Sequence, residues 1–245
     1  MVDFISSSFL IINIFGNFIQ MLLCTGLLKH IVMRRIAQIL LLCLVCARVS
    51  GQDEWELKKD EDGIKVFTAC TPNSNFKSIK VECTVKATPS QLVAFLMDIQ
   101  AQHDWVYNNK STQLVKKIGS NEMIFYSEVS VPWPCTNRDY ISHITIKQPT
   151  PQLVTIDAHS EPDLLPVKEG KVRVKTSRAH WDVTSLSSNL LKIVYTVQFD
   201  PAGSVPAWLT NMFVTKGPLQ TFQKLRECVS RPVYQNAHVD FIKDM

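Results

Sequence analysis

His103 and Asp104 are adjacent, and an imidazole beside a carboxylate is the pair from which general acid–base catalysis is built. The segment from His103 to Tyr107 reads as a short helical piece. Neighbouring residues on a helix point about 100° apart, so these two are not expected to face each other. Three more histidines, His143, His159 and His180, are scattered over strand-like segments. None has a helical His-x-x-x-His or a Cys-x-x-Cys companion, so no zinc or other metal is expected. There is no Gly-x-Ser-x-Gly elbow, no phosphate-binding loop and no dinucleotide fingerprint. The reactive residue types are present, but their spacing matches no catalytic constellation, and no cofactor is called for.

Charge excludes a second class. The chain carries 26 Lys and Arg against 22 Asp and Glu, a net charge of +4. Lys29, Arg34, Arg35 and Arg48 fall in the first 51 residues, against Asp3 alone, so the remainder is close to neutral. Such a domain has no broad basic field, and no basic run is interleaved with aromatics, so nucleic acid is not an expected partner.

The elements that must position any site follow from periodicity. Asp60 to Gly63 is a polar turn. Ile64–Ala69 and Phe76–Ala87 read as strands, with Ile79, Val81, Cys83 and Val85 on one face at period two. Thr88 is a natural N-cap and Pro89 suits a first helical turn, opening a helix with Leu92, Phe95, Leu96 and Ile99 as its apolar stripe. Six further strands are expected over 112–118, 123–131, 139–147, 153–159, 171–184 and 190–199, joined by short turns that suit antiparallel neighbours. A long helix over about 206–229 follows, apolar at Leu209, Met212, Phe213, Leu219, Phe222 and Leu225, with a kink expected at Gly217-Pro218. Strands, one helical patch, more strands and a final helix imply an α+β fold.

Hydrophobic residues make up 46% of the chain, and the first fifty residues are far richer in them than the rest. Phe4–Leu28 is uncharged and as a helix would be about 37 Å long, enough to cross a bilayer core of about 30 Å. Met33-Arg34-Arg35, the apolar run Ile36–Cys46 and the small residues near Ser50-Gly51 have the three-part layout of a secretory signal peptide. The expectation is a leader over 1–51, with a signal peptide over about 33–51 starting at Met33, and an exported domain, periplasmic or secreted. The alternative is a membrane anchor at 4–28. The main domain then spans 52–232 and a C-terminal tail 233–245. Cys70 and Cys83 lie in neighbouring strand segments, where an exported context permits a disulfide, the alternative being two free thiols.

Four strings now line up in order. They are His103-Asp104-Trp105 with Asn108, Pro134-Cys135-Thr136-Asn137-Arg138-Asp139-Tyr140, Gly170-Lys171-Val172-Arg173 with Trp181, and Asp200-Pro201-Ala202-Gly203-Ser204-Val205-Pro206-Ala207-Trp208-Leu209 with Asn211. Together they resemble the START (steroidogenic acute regulatory protein-related lipid-transfer) domain family of the helix-grip superfamily, over roughly 53–229. The resemblance implies a curved antiparallel sheet wrapped around a long C-terminal helix, enclosing a hydrophobic tunnel for one lipid or similar molecule. It implies carriage or sensing without catalysis, by a monomer that touches membranes transiently.

It also assigns roles. The C-terminal helix, with Trp208, Met212 and Phe213, acts as a lid, and a rim loop over about 130–136 offers Trp133 to a bilayer. Arg138 and Asp139 are read as a buried salt bridge holding strand to helix. Where sterol-binding members place a buried Glu and Arg, this chain has Phe125 and Ile144, which argues against the sterol mode. His143 and Arg173 are the candidates to replace them. The same architecture hosts aromatase/cyclase enzymes, which is the alternative function.

Overall fold

Ile79, Val81, Cys83 and Val85 alternate with polar residues, and in the computed structural model they form the buried face of one strand, β3 (Lys77–Val85). The structure describes residues 34, 35, 38, 55–70, 77–203, 206, 209, 210 and 212–245. Asp53–Met245 form one unit and Met1–Gln52 another. The anchor and signal-peptide expectations therefore lie almost wholly outside the described residues. Among the described residues, no helix is long and apolar enough to cross a membrane.

The strands are β1 (Glu56–Glu61), β2 (Ile64–Cys70), β3, β4 (Asn109–Lys117), β5 (Glu122–Val129), β6 (Asn137–Thr150), β7 (Leu153–Ser160), β8 (Lys171–Arg173), β9 (Ser177–Ser187) and β10 (Leu190–Phe199). They form one sheet in the order β1-β2-β3-β10-β9-β7-β6-β5-β4, antiparallel along this path, while β8 pairs with β6 in parallel. The short links set most neighbours. The exceptions are β7 beside β9, with β8 between them in sequence, and β3 beside β10, a closure more than a hundred residues apart in sequence.

Two details depart from the expected elements. β1 has no apolar alternation, because it is a charged, exposed edge strand, the kind of edge that resists pairing with another chain. Its hairpin to β2 turns on Asp62-Gly63, with φ of 52° and 68°, the pair of positive angles a two-residue turn between twisted strands demands. The single strand expected over 171–184 is instead two: β8 leaves the sheet path to pair with the start of β6, and β9 begins at Ser177.

Among the described residues the α-helices of this unit include α1 (Pro89–Met97), α2 (Gln102–Trp105), α3 (Gly217–Val229) and α4 (Pro232–Gln235). The Thr88 hydroxyl accepts from the Gln91 N–H at 3.2 Å and the Gln91 side chain accepts from the Thr88 N–H, a reciprocal cap that satisfies two otherwise orphaned donors. Gln91 also donates to the Val229 carbonyl at 2.8 Å, tying α1 to the end of α3. Thr88→Ala should therefore lower stability by about 1 kcal/mol in urea denaturation.

The expected kink is a stretch of π-helix, Met212–Lys216, that runs straight into α3. Pro218 has no N–H to give the carbonyl four residues back, and its ring crowds that carbonyl, so the turn before it widens. The residues after α3 are held to the domain. Tyr234 stacks edge-on against Phe95 and donates to Asp98 at 2.7 Å, while the Asp244 carboxylate accepts from the Ser90 N–H at 2.8 Å. The tail 233–245 is thus part of the domain's packing.

Candidate functional site

The concave face of the sheet and the C-terminal helix do not meet everywhere. Between them lies a cavity of about 310 Å³. Apart from Ile141, its β6, β7, β9 and β10 wall residues follow the period-two rule: Arg138, Tyr140, Ser142 and Ile144 on β6; Ile156, Ala158 and Ser160 on β7; Ser177, Ala179 and Trp181 on β9; Tyr195, Val197 and Phe199 on β10. Phe213 of the π-helical stretch and Thr221 and Phe222 of α3 close it. Trp181, Tyr195 and Phe222 stack on one another with ring centroids 4.6–5.5 Å apart, so the lid is fastened to the sheet through aromatic contact.

Gly217 marks a close approach of this helix to the Tyr107 ring. A Cβ there would come within 3.1 Å of the Tyr107 ring, and the Tyr107 N–H donates to the Thr221 hydroxyl at 3.0 Å. A larger residue would require the Tyr107 ring to give by a few tenths of an ångström.

The wall is mostly apolar, and among the described residues its single charge is Arg138. No carboxylate, imidazole or thiol lines it among those residues. Burial pushes the Tyr140 and Tyr195 phenols well above their ordinary range, so both stay neutral. Trp105 is also a wall residue, and its buried indole N–H has no hydrogen-bond partner among the described residues.

Arg138 and Asp139 do not pair with each other. They are consecutive on a strand and point to opposite faces. Asp139 pairs instead with Arg173, whose Nε and Nη2 donate to its two carboxylate oxygens, each at 3.0 Å. The parallel register of β8 on β6 sets Arg173 beside Asp139, on the face away from the cavity. Remaining Arg173 donors reach the carbonyls of Pro162, Leu165 and Pro166, organising the link between β7 and β8. Arg173 is therefore not the polar end of the cavity. Arg138 is the cation on the wall, donating to the carbonyls of Thr136, Pro201 and Ala202 and so gripping the turn before the lid.

Asn137, the first residue of that triplet, fixes the rim loop. Its carbonyl oxygen accepts from the Val131 N–H at 3.0 Å and its amide donates to Glu128 at 3.2 Å. Burial pushes the Glu128 carboxyl up, but hydrogen bonds from Lys171, Lys110 and Asn137 outweigh it and hold the group below the ordinary carboxylate range. The loop beyond is held out to solvent, and Trp133 at its tip is 91% exposed, so it is no core tryptophan.

Other candidates fall elsewhere. His143 points to the outer face of the sheet, between Glu122 at 2.6 Å and Glu161 at 3.4 Å, and does not reach the cavity. Phe213 is on the wall, whereas Met212 lies in a surface groove with Lys59 and Leu219. Trp208 lies outside the described residues.

His103 and Asp104, expected to diverge, do meet: Nε2 lies 2.9 Å from Oδ1. The imidazole folds back over a four-residue helix, with Nδ1 at 2.8 Å from the Gln100 carbonyl, and Asp104 also binds Arg231. The pair is an exposed ion cluster outside the cavity.

The disulfide does not form. Cys70 is opposite Lys77 on β3, and Cys83 lies six residues further along, roughly 20 Å at strand rise. A bridge tolerates about 7 Å between Cα atoms. All four described cysteines are free. Burial pushes the Cys83 thiol up to about 11, making it an inert core residue.

Phe125 and Ile144 both line the cavity. The two positions where the resemblance would place a sterol-binding Glu and Arg are thus apolar, and Arg138 is the one charge among the described wall residues. Trp105, Trp181, Tyr195 and Phe222 are wall residues that strand and helix periodicity marks as apolar without showing that they converge.

Comparison with known proteins places this architecture. The START domain model matches residues 43–234. An uncharacterised protein of Pseudomonas aeruginosa is 29% identical over 202 residues, covering 81% of this chain and all of its own. The phosphatidylcholine transfer protein of Bos taurus is 25% identical over 169 residues, covering 66% of this chain and 78% of its own. A crystal structure of a STAR-related lipid transfer protein fragment from Xanthomonas axonopodis superposes with a TM-score of 0.67 at 30% identity, covering 73% of this chain and all of that one. With the curved sheet, the helical lid and the matched span together, the chain belongs to the START domain family.

Proposed function

We propose that the cavity carries one lipid or similarly hydrophobic molecule, for transport or sensing, with no chemical step. The observation that carries this reading is the wall: apolar side chains, neutral hydroxyls and one arginine, with no carboxylate, imidazole or thiol among the described residues. A ligand gains about 25 cal/mol for each Å² of apolar surface removed from water, so a few hundred Å² supply several kcal/mol without any reaction. The names of the bovine and Xanthomonas relatives point the same way.

The volume adds a mechanical consequence. About 310 Å³ is at the small end of ligand sites, which run to roughly 1,000 Å³. A two-chain lipid needs the lid or rim to move outward. The π-helical stretch Met212–Lys216 is the natural place for that motion, because none of its residues is buried and it adjoins the wall at Phe213.

Native mass spectrometry after mild extraction tests the proposal. A co-purifying lipid at one per chain supports it. An empty cavity together with turnover of a polyketide-like substrate would establish the cyclase alternative instead.

Trp133 is proposed as the membrane contact, its ring and the adjoining Pro132 and Pro134 forming an exposed apolar tip. Trp133→Ala should reduce transfer between vesicles by about threefold to tenfold, while stability changes by less than about 0.5 kcal/mol. Unchanged transfer would move the contact elsewhere. Export through residues 33–51 is a proposal from sequence, which mass spectrometry of the natural N-terminus tests; a mature chain beginning upstream of Met33 overturns it.

A further inference from the structure

The outer face of the sheet holds a group that the cavity does not use. In the β6–β7 pair, His143 stands directly opposite His159, with ring centroids 4.8 Å apart. The Glu161 N–H continues the ladder by bonding the Ile141 carbonyl at 2.9 Å, so Glu161 shares the face of His159. Glu161 Oε1 then lies 3.1 Å from His159 Nε2 and 3.4 Å from His143 Nδ1. All three donor atoms lie within 4.8 Å of one another. From β5, on the same face, Glu122 Oε1 approaches His143 Nε2 at 2.6 Å.

Glu161 Oε1 meets both rings at once, His143 through Nδ1 and His159 through Nε2, while Glu122 holds the other nitrogen of His143, so two ring nitrogens and one carboxylate oxygen are gathered on one face of the sheet. Around a tetrahedral zinc with bonds of about 2.0–2.1 Å, ligand atoms are about 3.3–3.4 Å apart. At 3.4 Å and 3.1 Å two of the three edges here are at or just below that length, and the third, at no more than 4.8 Å, ends on the half-exposed His159 ring.

We infer that His143, His159 and Glu161 bind a divalent transition metal of the zinc class on the outer face of the sheet, with Glu122 as the positioning carboxylate behind His143. Two imidazoles and one carboxylate suit zinc, and leave a fourth position for water. A carboxylate on the far nitrogen of a ligating histidine orients the ring and raises its basicity. The ion would clamp β6, β7 and the start of the link that Arg173 organises. The neighbouring His180 is no competitor: its two nitrogens reach Asp157 at 2.7 Å and Asp182 at 3.2 Å, and among the described residues no second imidazole joins them.

The test uses the full chain, stripped with a chelator and titrated with Zn²⁺ by calorimetry and by Co²⁺ absorption. One ion should bind with a dissociation constant of about 10 μM or tighter. A hundredfold excess over that constant should raise the melting temperature by about 5–10 °C. His159→Ala and Glu161→Gln should each weaken binding at least thirtyfold, Glu122→Gln about tenfold, and His180→Ala not at all. His159 is half exposed, so its loss leaves the fold intact, which far-UV circular dichroism checks. Binding weaker than about 100 μM overturns the inference, because the cluster is then a proton-shared network; so does equally tight binding by His159→Ala.

Discussion

Asp139→Ala is expected to destabilise the domain by about 3–5 kcal/mol, enough to lower its melting temperature by about 10 °C or more. Asp139 is 0% exposed and Arg173 5%, and their contact is bidentate. The attraction between two buried charges only roughly offsets the cost of taking them out of water. Removing one partner leaves the other buried and uncompensated, and that is where the large loss arises. Arg173→Ala should cost at least as much, because it also strands the carbonyls of Pro162, Leu165 and Pro166. Arg173→Lys should recover little, since an ammonium cannot span both carboxylate oxygens and three carbonyls. Combining Asp139→Leu with Arg173→Met should recover part of the loss, and the carbonyls account for the rest. Urea denaturation of the four variants measures this; a loss below about 1 kcal/mol for Asp139→Ala contradicts it.

Ala158→Phe should lower the lipid recovered with the protein at least tenfold while leaving the fold in place. Ala158 and Ala179 are opposite one another on β7 and β9, and both line the cavity. A ring placed there occupies a large share of about 310 Å³. Overpacking a filled core costs about 1–3 kcal/mol, but this ring enters empty space, so stability should change by less than about 1 kcal/mol. The two readouts separate the explanations. Lost lipid with an unchanged melting temperature means the cavity is the site. A full lipid load in a folded Ala158→Phe protein means the ligand sits elsewhere.

The Asn137-Arg138-Asp139 triplet shows how far sequence reaches. Its presence, and its place in a strand, are legible from residue order. Its division of labour is not. Asn137 closes the rim loop, Arg138 grips the turn before the lid, and Asp139 leaves for the opposite face to meet Arg173. Alternation predicts that neighbours diverge, but the partner of Asp139 comes from β8, a three-residue strand that periodicity merges with β9.

Local chemistry was decided by the sequence itself. The Thr88 cap, the polar turn ending at Gly63, the alternation along β3 and the proline that disturbs the lid all depend on residues a few positions apart. Pairing register and strand facing were decided only by the tertiary structure. Period two divides each strand into two faces without saying which is inner, and register depends on partners as distant as β3 and β10. So Cys70 and Cys83 are kept far apart, Arg138 and not Arg173 enters the cavity, and histidines that look scattered at 143 and 159 stand side by side. The residues that could do chemistry are visible in the sequence; which of them meet is settled by hydrogen-bonded strand pairing, a long-range constraint that residue types alone do not encode legibly.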